Sequence, residues 1–261
     1  MKVSCLQMNM KLGNPDDNFS KAKQLIAKAM KENPDVLVLP ETWNTGFFPK
    51  DNLADLSCGN SVEVKETIGS LAREYGVNIV AGSVSNVREN RVYNTACVFD
   101  RRGECVAQYD KTHLFTPMGE DTYFTKGNHL CRFTLDGVRC SVIICYDLRF
   151  PELIRTLALS GLDMLFVVSQ WPETRTFHLH TLTTARAIEN QMYVVCCNSC
   201  GVADDTVFGG NSVIINPLGD ILAKAGETEQ IITSECDMGV ISEIRENIPV
   251  FRDRREDLYR I

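Results

Sequence analysis

A chain of 261 residues can bury roughly three quarters of the surface it exposes when unfolded, so a large core needs no metal or disulfide staple. Its composition, 44% hydrophobic and 23% charged, is that of a globular protein. A net charge of −7 with no basic block speaks against nucleic acid as the main partner, and no stretch reaches the ~20 apolar residues of a membrane span.

Met1 to Leu6 runs straight into an alternating pattern with no apolar targeting region, so the cytoplasm is the default expectation. Val3 to Asn9 reads as a first strand. Asn14-Pro15-Asp16-Asp17 opens a helix to Glu32, with Phe19, Ala22, Leu25, Ile26 and Ala29 as its apolar stripe. Asp35 to Pro40 is a short continuous apolar strand of the kind buried on both faces. A long loop (41–60) precedes a helix over 62–75 and a strand over 78–84. Residues 91–99 and 104–109 form a hairpin across Asp100-Arg101-Arg102-Gly103.

After another long loop (110–127), strands fit 130–134 and 138–144, turned at Asp136-Gly137. Pro151-Glu152 opens a helix to Ser160. Residues 163–169 are a buried strand, 176–189 a helix and 192–197 a strand. A last hairpin joins 211–215 to 220–236, and a polar arm with short helical pieces runs from Glu243 to Ile261. Helices alternate with strands and several hairpins, which predicts one layered α/β domain with mixed sheets.

Eleven cysteines lie mostly inside apolar runs, as free thiols do in a reducing compartment. Cys197 and Cys200 form a C-x-x-C with no second pair after it, so no metal site is expected. Cys145 stands apart because it directly follows Val142-Ile143-Ile144 and precedes a turn. That placement lifts a nucleophile above a sheet edge, with the next backbone N–H, that of Tyr146, facing an oxyanion. Cys140, five residues back, points to the other face of the same strand. Glu41 stands at the mouth of the 35–40 strand, where burial makes a carboxylate a usable proton acceptor. Lys111 follows the 104–109 strand and suits a developing negative charge. Taken singly, each also fits a plainer role: one more buried thiol, a loop glutamate, a surface lysine. Jointly they all lie just past the C-terminal end of a strand, where α/β sheets build sites.

The segments LVLPETWNTGF, YDKTHLF and IICYDLRFPEL, with GEDTYFTKG, SQWPETR, TTARAIENQMYVVCCNSCG and GGNSVIINPLGD, follow in register along nearly the whole chain. This pattern resembles the nitrilase superfamily of carbon–nitrogen hydrolases. The resemblance implies a four-layer α-β-β-α sandwich, a homodimer with the C-terminal arm (243–261) at its interface, and no cofactor. It implies Glu41 as base, Lys111 as oxyanion stabiliser, Cys145 as nucleophile and Glu120 as a second glutamate beside Lys111, with Asp121 competing for that place. The combination of HLF, CYDLRFPE, WP-x-x-R and TARAIENQ looks most like the omega-amidase branch, which hydrolyses 2-oxoglutaramate and 2-oxosuccinamate.

Such substrates carry a carboxylate, for which Arg175 is the candidate anchor because arginine pairs carboxylates bidentately. A solvent-facing Arg175 at the helix start is the plainer reading. His178, Tyr146, Trp171 and Phe115 are expected to line the pocket, and Arg149 to pair structurally with Asp147 or Glu152. Alternatives are an N-carbamoyl hydrolase, an aliphatic amidase or a nitrilase using the same residues, and, in another class, a silent binding protein or a thiol redox sensor.

Overall fold

In the computed structural model, which describes residues 1–259, the alternating segments become two packed sheets. The first sheet holds β1 (Lys2–Gln7), β2 (Val36–Val38), β3 (Cys58–Gly59), β4 (Asn78–Arg88), β5 (Arg91–Phe99) and β6 (Cys105–Asp110). The second holds β7 (Phe133–Leu135), β8 (Val138–Ile144), β9 (Met164–Ser169) and β10 (Tyr193–Asn198). A separate hairpin, β11 (Cys200–Ala203) with β12 (Thr206–Gly209), follows. The chain then returns to the second sheet as β13 (Val213–Ile215) and β14 (Ile221–Lys224), and crosses to the first as β15 (Gln230–Glu235). The sheet orders are β15-β1-β2-β4-β5-β6, with β3 beside β4, and β14-β13-β10-β9-β8-β7. Both are mixed: β1, β2 and β4 run parallel, as do β8, β9 and β10, and the edges are antiparallel.

Side-chain alternation builds the layers. Val36 and Val38 of β2, Val142 and Ile144 of β8 and Phe166 and Val168 of β9 share one core between the sheets. Leu37 and Ile79 face outward and meet Ala22, Leu25 and Ile26 of the Pro15–Ala29 helix and Ile68 and Ala72 of the 62–75 helical segment. On the other outer face, Ile143, Leu165 and Val167 meet Ile154 and Leu157 of the Pro151–Ala158 helix and Leu179 and Ala187 of the Thr176–Asn190 helix. The result is the α-β-β-α sandwich. Asn14 caps the first helix by accepting from the Asp17 N–H at 3.1 Å.

Several boundaries differ from expectation for physical reasons. The strand expected over 220–236 is two strands in different sheets. The polar Gly226-Glu227-Thr228-Glu229 break lets β15 cross over to pair with β1. The β11–β12 hairpin, turned at Asp204-Asp205, was not anticipated. β4 extends to Arg88, four residues beyond Val84, and β7 begins at Phe133 rather than Leu130. Of the expected C-terminal arm, 240–247 is the Val240–Asn247 helix and 248–259 follow without a strand, while Arg260 and Ile261 lie outside the described residues. Among the described residues no helix is long and apolar enough to cross a membrane.

Candidate active site

Three strand ends deliver the charged residues. β2 stops at Val38 and the chain turns through Pro40 to Glu41, held by Ser83 N–H donating to the Pro40 carbonyl at 3.2 Å. Gly82, with φ +51°, is required there, since a Cβ would sit 1.9 Å from the Pro40 oxygen. β6 delivers Lys111, whose carbonyl accepts from Gly127 N–H at 2.9 Å. A Cβ on Gly127 would lie 2.1 Å from the Asp110 oxygen, so that approach also needs glycine. β8 ends at Ile144, and Cys145 opens a 3-10 turn with φ +46°. A cysteine in the left-handed region is strained, and such strain persists only where the surroundings fix it.

Asp147 supplies that fixing. Its fully buried carboxylate accepts from Ile144 N–H at 3.0 Å, Tyr109 Oη at 2.8 Å, Thr112 Oγ1 at 3.1 Å and His113 N–H at 3.0 Å, and lies 2.8 Å from His113 Nδ1. The turn after Cys145 is thereby tied to the loop after Lys111.

Lys111 Nζ donates at 2.8 Å to Glu41 Oε1 and at 2.8 Å to both oxygens of Glu120. All three residues are at most 3% exposed. Such a buried cluster is stable only when its remaining lone pairs are satisfied. Gln170 N–H donates to Glu41 Oε2 at 2.8 Å and Phe115 N–H to Glu120 Oε2 at 2.6 Å. Burial alone would pull the Lys111 ammonium down, but the charges of Glu120 and Glu41 outweigh it and hold it well above the lysine range. Burial pushes the Glu120 carboxyl up against the pull of Lys111, and the Glu41 charge adds to the rise. Burial, then the charge of Glu41, push the Cys145 thiol far up, so it rests protonated.

Glu41, Lys111, Glu120 and Cys145 line one cavity. Of the expected wall residues, Tyr146, Trp171, Phe115 and Arg175 line it as well. His178 does not. It is exposed on the Thr176–Asn190 helix, off the buried stripe that carries Leu179 and Thr183, with Nδ1 3.3 Å from the Arg149 guanidinium. Asp121 is exposed, and Glu120 takes the place beside Lys111.

Arg149 is corrected. It pairs with neither Asp147 nor Glu152, because Asp147 points inward and its oxygens are already taken. Instead it stacks 4.7 Å over the Trp171 ring and lines the cavity. Arg175 lies 5.4 Å over the Phe115 ring. Neither arginine is in an ion pair among the described residues. Three cations against two carboxylates leave this cavity net positive on an acidic chain. Phe47, Phe48 and Met118, which the sequence reading missed, complete its apolar walls. Only the FF pair in the 41–60 loop hinted at them.

Nine of the eleven cysteines are buried, and Cys105 and Cys145 are the two that reach the surface in part. Cys140 lies in the core between the sheets, on the face opposite Ile143.

The chain matches the carbon–nitrogen hydrolase family over residues 2–246. It is 43% identical over 257 residues to a 2-oxoglutaramate amidase of Bacillus subtilis (strain 168), covering 98% of each chain. It is 32% identical to the human omega-amidase NIT2, covering 94% of this chain and 92% of that one. A solved amidase variant from Nesterenkonia sp. AN1, with acrylamide added at its active-site cysteine, superposes with a TM-score of 0.87 at 25% identity, covering 99% of this chain and 95% of that one. The sandwich with its strand-end residues and the match along nearly the whole chain agree, and the chain belongs to the carbon–nitrogen hydrolase family.

Proposed function

We propose that this protein hydrolyses the terminal carboxamide of a small carboxylate-bearing molecule to carboxylate and ammonia, with 2-oxoglutaramate and 2-oxosuccinamate as substrates. The observation that carries the proposal is Lys111 Nζ clamped between Glu41 and Glu120 in the wall of the cavity that Cys145 lines.

A thiol held protonated needs a base to attack. Glu41 takes that proton as Cys145 Sγ bonds to the amide carbon. The Lys111 ammonium and the Tyr146 backbone N–H receive the oxyanion, the latter from the first turn of a 3-10 segment, where N–H groups have no partner within the turn. Protonated Glu41 passes its proton to the nitrogen, the C–N bond breaks and ammonia leaves. Water, deprotonated by Glu41, then attacks the thioester carbon, and the C–S bond breaks to release carboxylate and restore the thiol. Glu120 keeps Lys111 charged and in place. Arg175 and Arg149, both without carboxylate partners of their own, supply charge for the substrate's carboxylate. The relatives named as 2-oxoglutaramate amidase and omega-amidase support this substrate class. Exposed Phe177 and Ile188 on the outer Thr176–Asn190 helix support a homodimer packed through that layer.

The test is ammonia release from 2-oxoglutaramate, glutamine, an N-carbamoyl amino acid and a simple nitrile, with Cys145→Ala as the control. Fastest release from 2-oxoglutaramate, abolished in the folded control variant, is expected. Faster turnover of the carbamoyl compound or the nitrile would reassign the substrate, and substantial activity in Cys145→Ala would remove the nucleophile assignment.

A further inference from the structure

Two carboxylates sharing one lysine repel each other, and something besides Lys111 has to hold them at a common distance. Asn94, on β5 and 1% exposed, occupies that position. Its amide nitrogen donates to Glu41 Oε1 at 2.9 Å and to Glu120 Oε1 at 3.3 Å, one hydrogen toward each carboxylate. These are the same two oxygens that Lys111 Nζ holds at 2.8 Å. The Asn94 backbone carbonyl also accepts the Lys111 N–H at 2.9 Å, so this residue touches all three members of the cluster. Its orientation is fixed chemically, because a flipped amide would set its oxygen against two carboxylate oxygens. The remaining atom, Oδ1, is buried and has no hydrogen-bond partner among the described residues. Asn94 is not part of the cavity wall and lies behind the carboxylates.

We infer that Asn94 is a positioning residue of the reaction: its amide spaces Glu41 from Glu120 and fixes both carboxylates against Lys111, so that Glu41 keeps one place as the base. The inference rests on the reading of Glu41, Lys111, Glu120 and Cys145 given above. An amide suits the site for two reasons. Its two N–H groups match two acceptors on one side of a lysine. Aspartate, of the same shape, would bring a third negative charge to a cluster that already has more carboxylate than ammonium. Because Asn94 does not touch substrate, its loss acts on kcat and leaves KM nearly unchanged.

The experiment compares wild type with Asn94→Ala, Asn94→Ser and Asn94→Asp in the full chain. Rates are measured against pH and expressed per site of folded protein, taken as the monodisperse fraction recovered by size-exclusion chromatography, so that misfolded protein does not enter the rate. Expected are a fall in kcat of about 10- to 100-fold for Asn94→Ala, the size of one charge-assisted hydrogen bond, and a smaller fall for Asn94→Ser, which keeps one donor. The acid limb of the pH profile should move to higher pH in Asn94→Ala and further in Asn94→Asp. If Asn94→Asp does not fold, the alanine and serine profiles decide alone. Lower thermal stability with a wild-type pH profile and wild-type kcat per site in the surviving molecules would overturn the inference. A wild-type protein with no amidase activity would instead remove the reading on which it rests, and the two failures are separately visible.

Discussion

Replacing Lys111 with methionine keeps the apolar stem and removes the ammonium from between two buried carboxylates. Lys111 Nζ holds three carboxylate oxygens at 2.8 Å. In the variant the Asn94 amide and the N–H groups of Gln170 and Phe115 are the donors that stay. Breaking a buried pair by removing one partner costs about 3–5 kcal/mol, a large share of the roughly 5–15 kcal/mol that holds a domain together. The penalty depends on pH, and its sign follows from linkage. Burial already raises the Glu120 carboxyl in the wild type, with Lys111 opposing and Glu41 adding to the rise. Without Lys111 the opposition is gone, so the folded-state value climbs further above the unfolded carboxylate value of about 4.3. A carboxyl raised in this way contributes stability that is fully present below the unfolded value and lost as pH rises through the folded one. The deficit of Lys111→Met relative to wild type should therefore be largest at pH 8. It should shrink by up to about 1.4 kcal/mol per pH unit for each proton taken up as pH falls toward 5. Urea unfolding at four pH values, at one protein concentration, measures it. An equal deficit at pH 5 and pH 8 would refute the claim that Lys111 compensates two ionised carboxylates.

Arg175→Ala and Arg149→Ala should each lower kcat/KM for 2-oxoglutaramate by about 10- to 100-fold and change turnover of a neutral amide little. Equal losses on both substrates would exclude a carboxylate anchor. Sedimentation velocity should report a dimer, weakened by Phe177→Glu and Ile188→Glu on the exposed helix face; a 29.3 kDa species in the wild type would exclude it.

A layered α/β domain with mixed sheets was legible because burial on one face leaves a period in the sequence, whereas the four-layer order came from the family resemblance. Val36-Leu37-Val38 and Val142-Ile143-Ile144 have no polar member, so these strands had to be covered on both sides, and the structure divides their side chains between two cores. Partner choice between sheets leaves no such trace. The polar run Gly226-Glu227-Thr228-Glu229 marks a break within 220–236, but nothing local says that β15 leaves its hairpin neighbour for β1. The Asp204-Asp205 turn was a usable signal: with Asp204 at φ +49° it joins two short alternating runs. His178 was also decidable from spacing, since Leu179, Thr183, Arg186, Ala187 and Asn190 define the buried stripe and position 178 falls outside it.

The site divides along the same line. Glu41, Lys111 and Cys145 were visible because each stands where a strand stops, and a strand's end is a local property. The residues that tune them sit inside elements and act through contacts made by distant parts of the chain. Asn94 lies mid-strand, 53 residues from Glu41 and 26 from Glu120, and reads locally as one polar member of an alternating run. Asp147 reads as a turn residue two places after the thiol, yet its carboxylate is what closes the Lys111 loop onto the Cys145 turn, 34 to 38 residues away. Arg149 follows from Asp147: once that carboxylate is filled from the inside, the neighbouring guanidinium has no local partner and turns into the cavity over Trp171. A local ion pair denied by the fold thus becomes the second free cation of a binding site, and this is why spacing alone assigned it to the wrong partner.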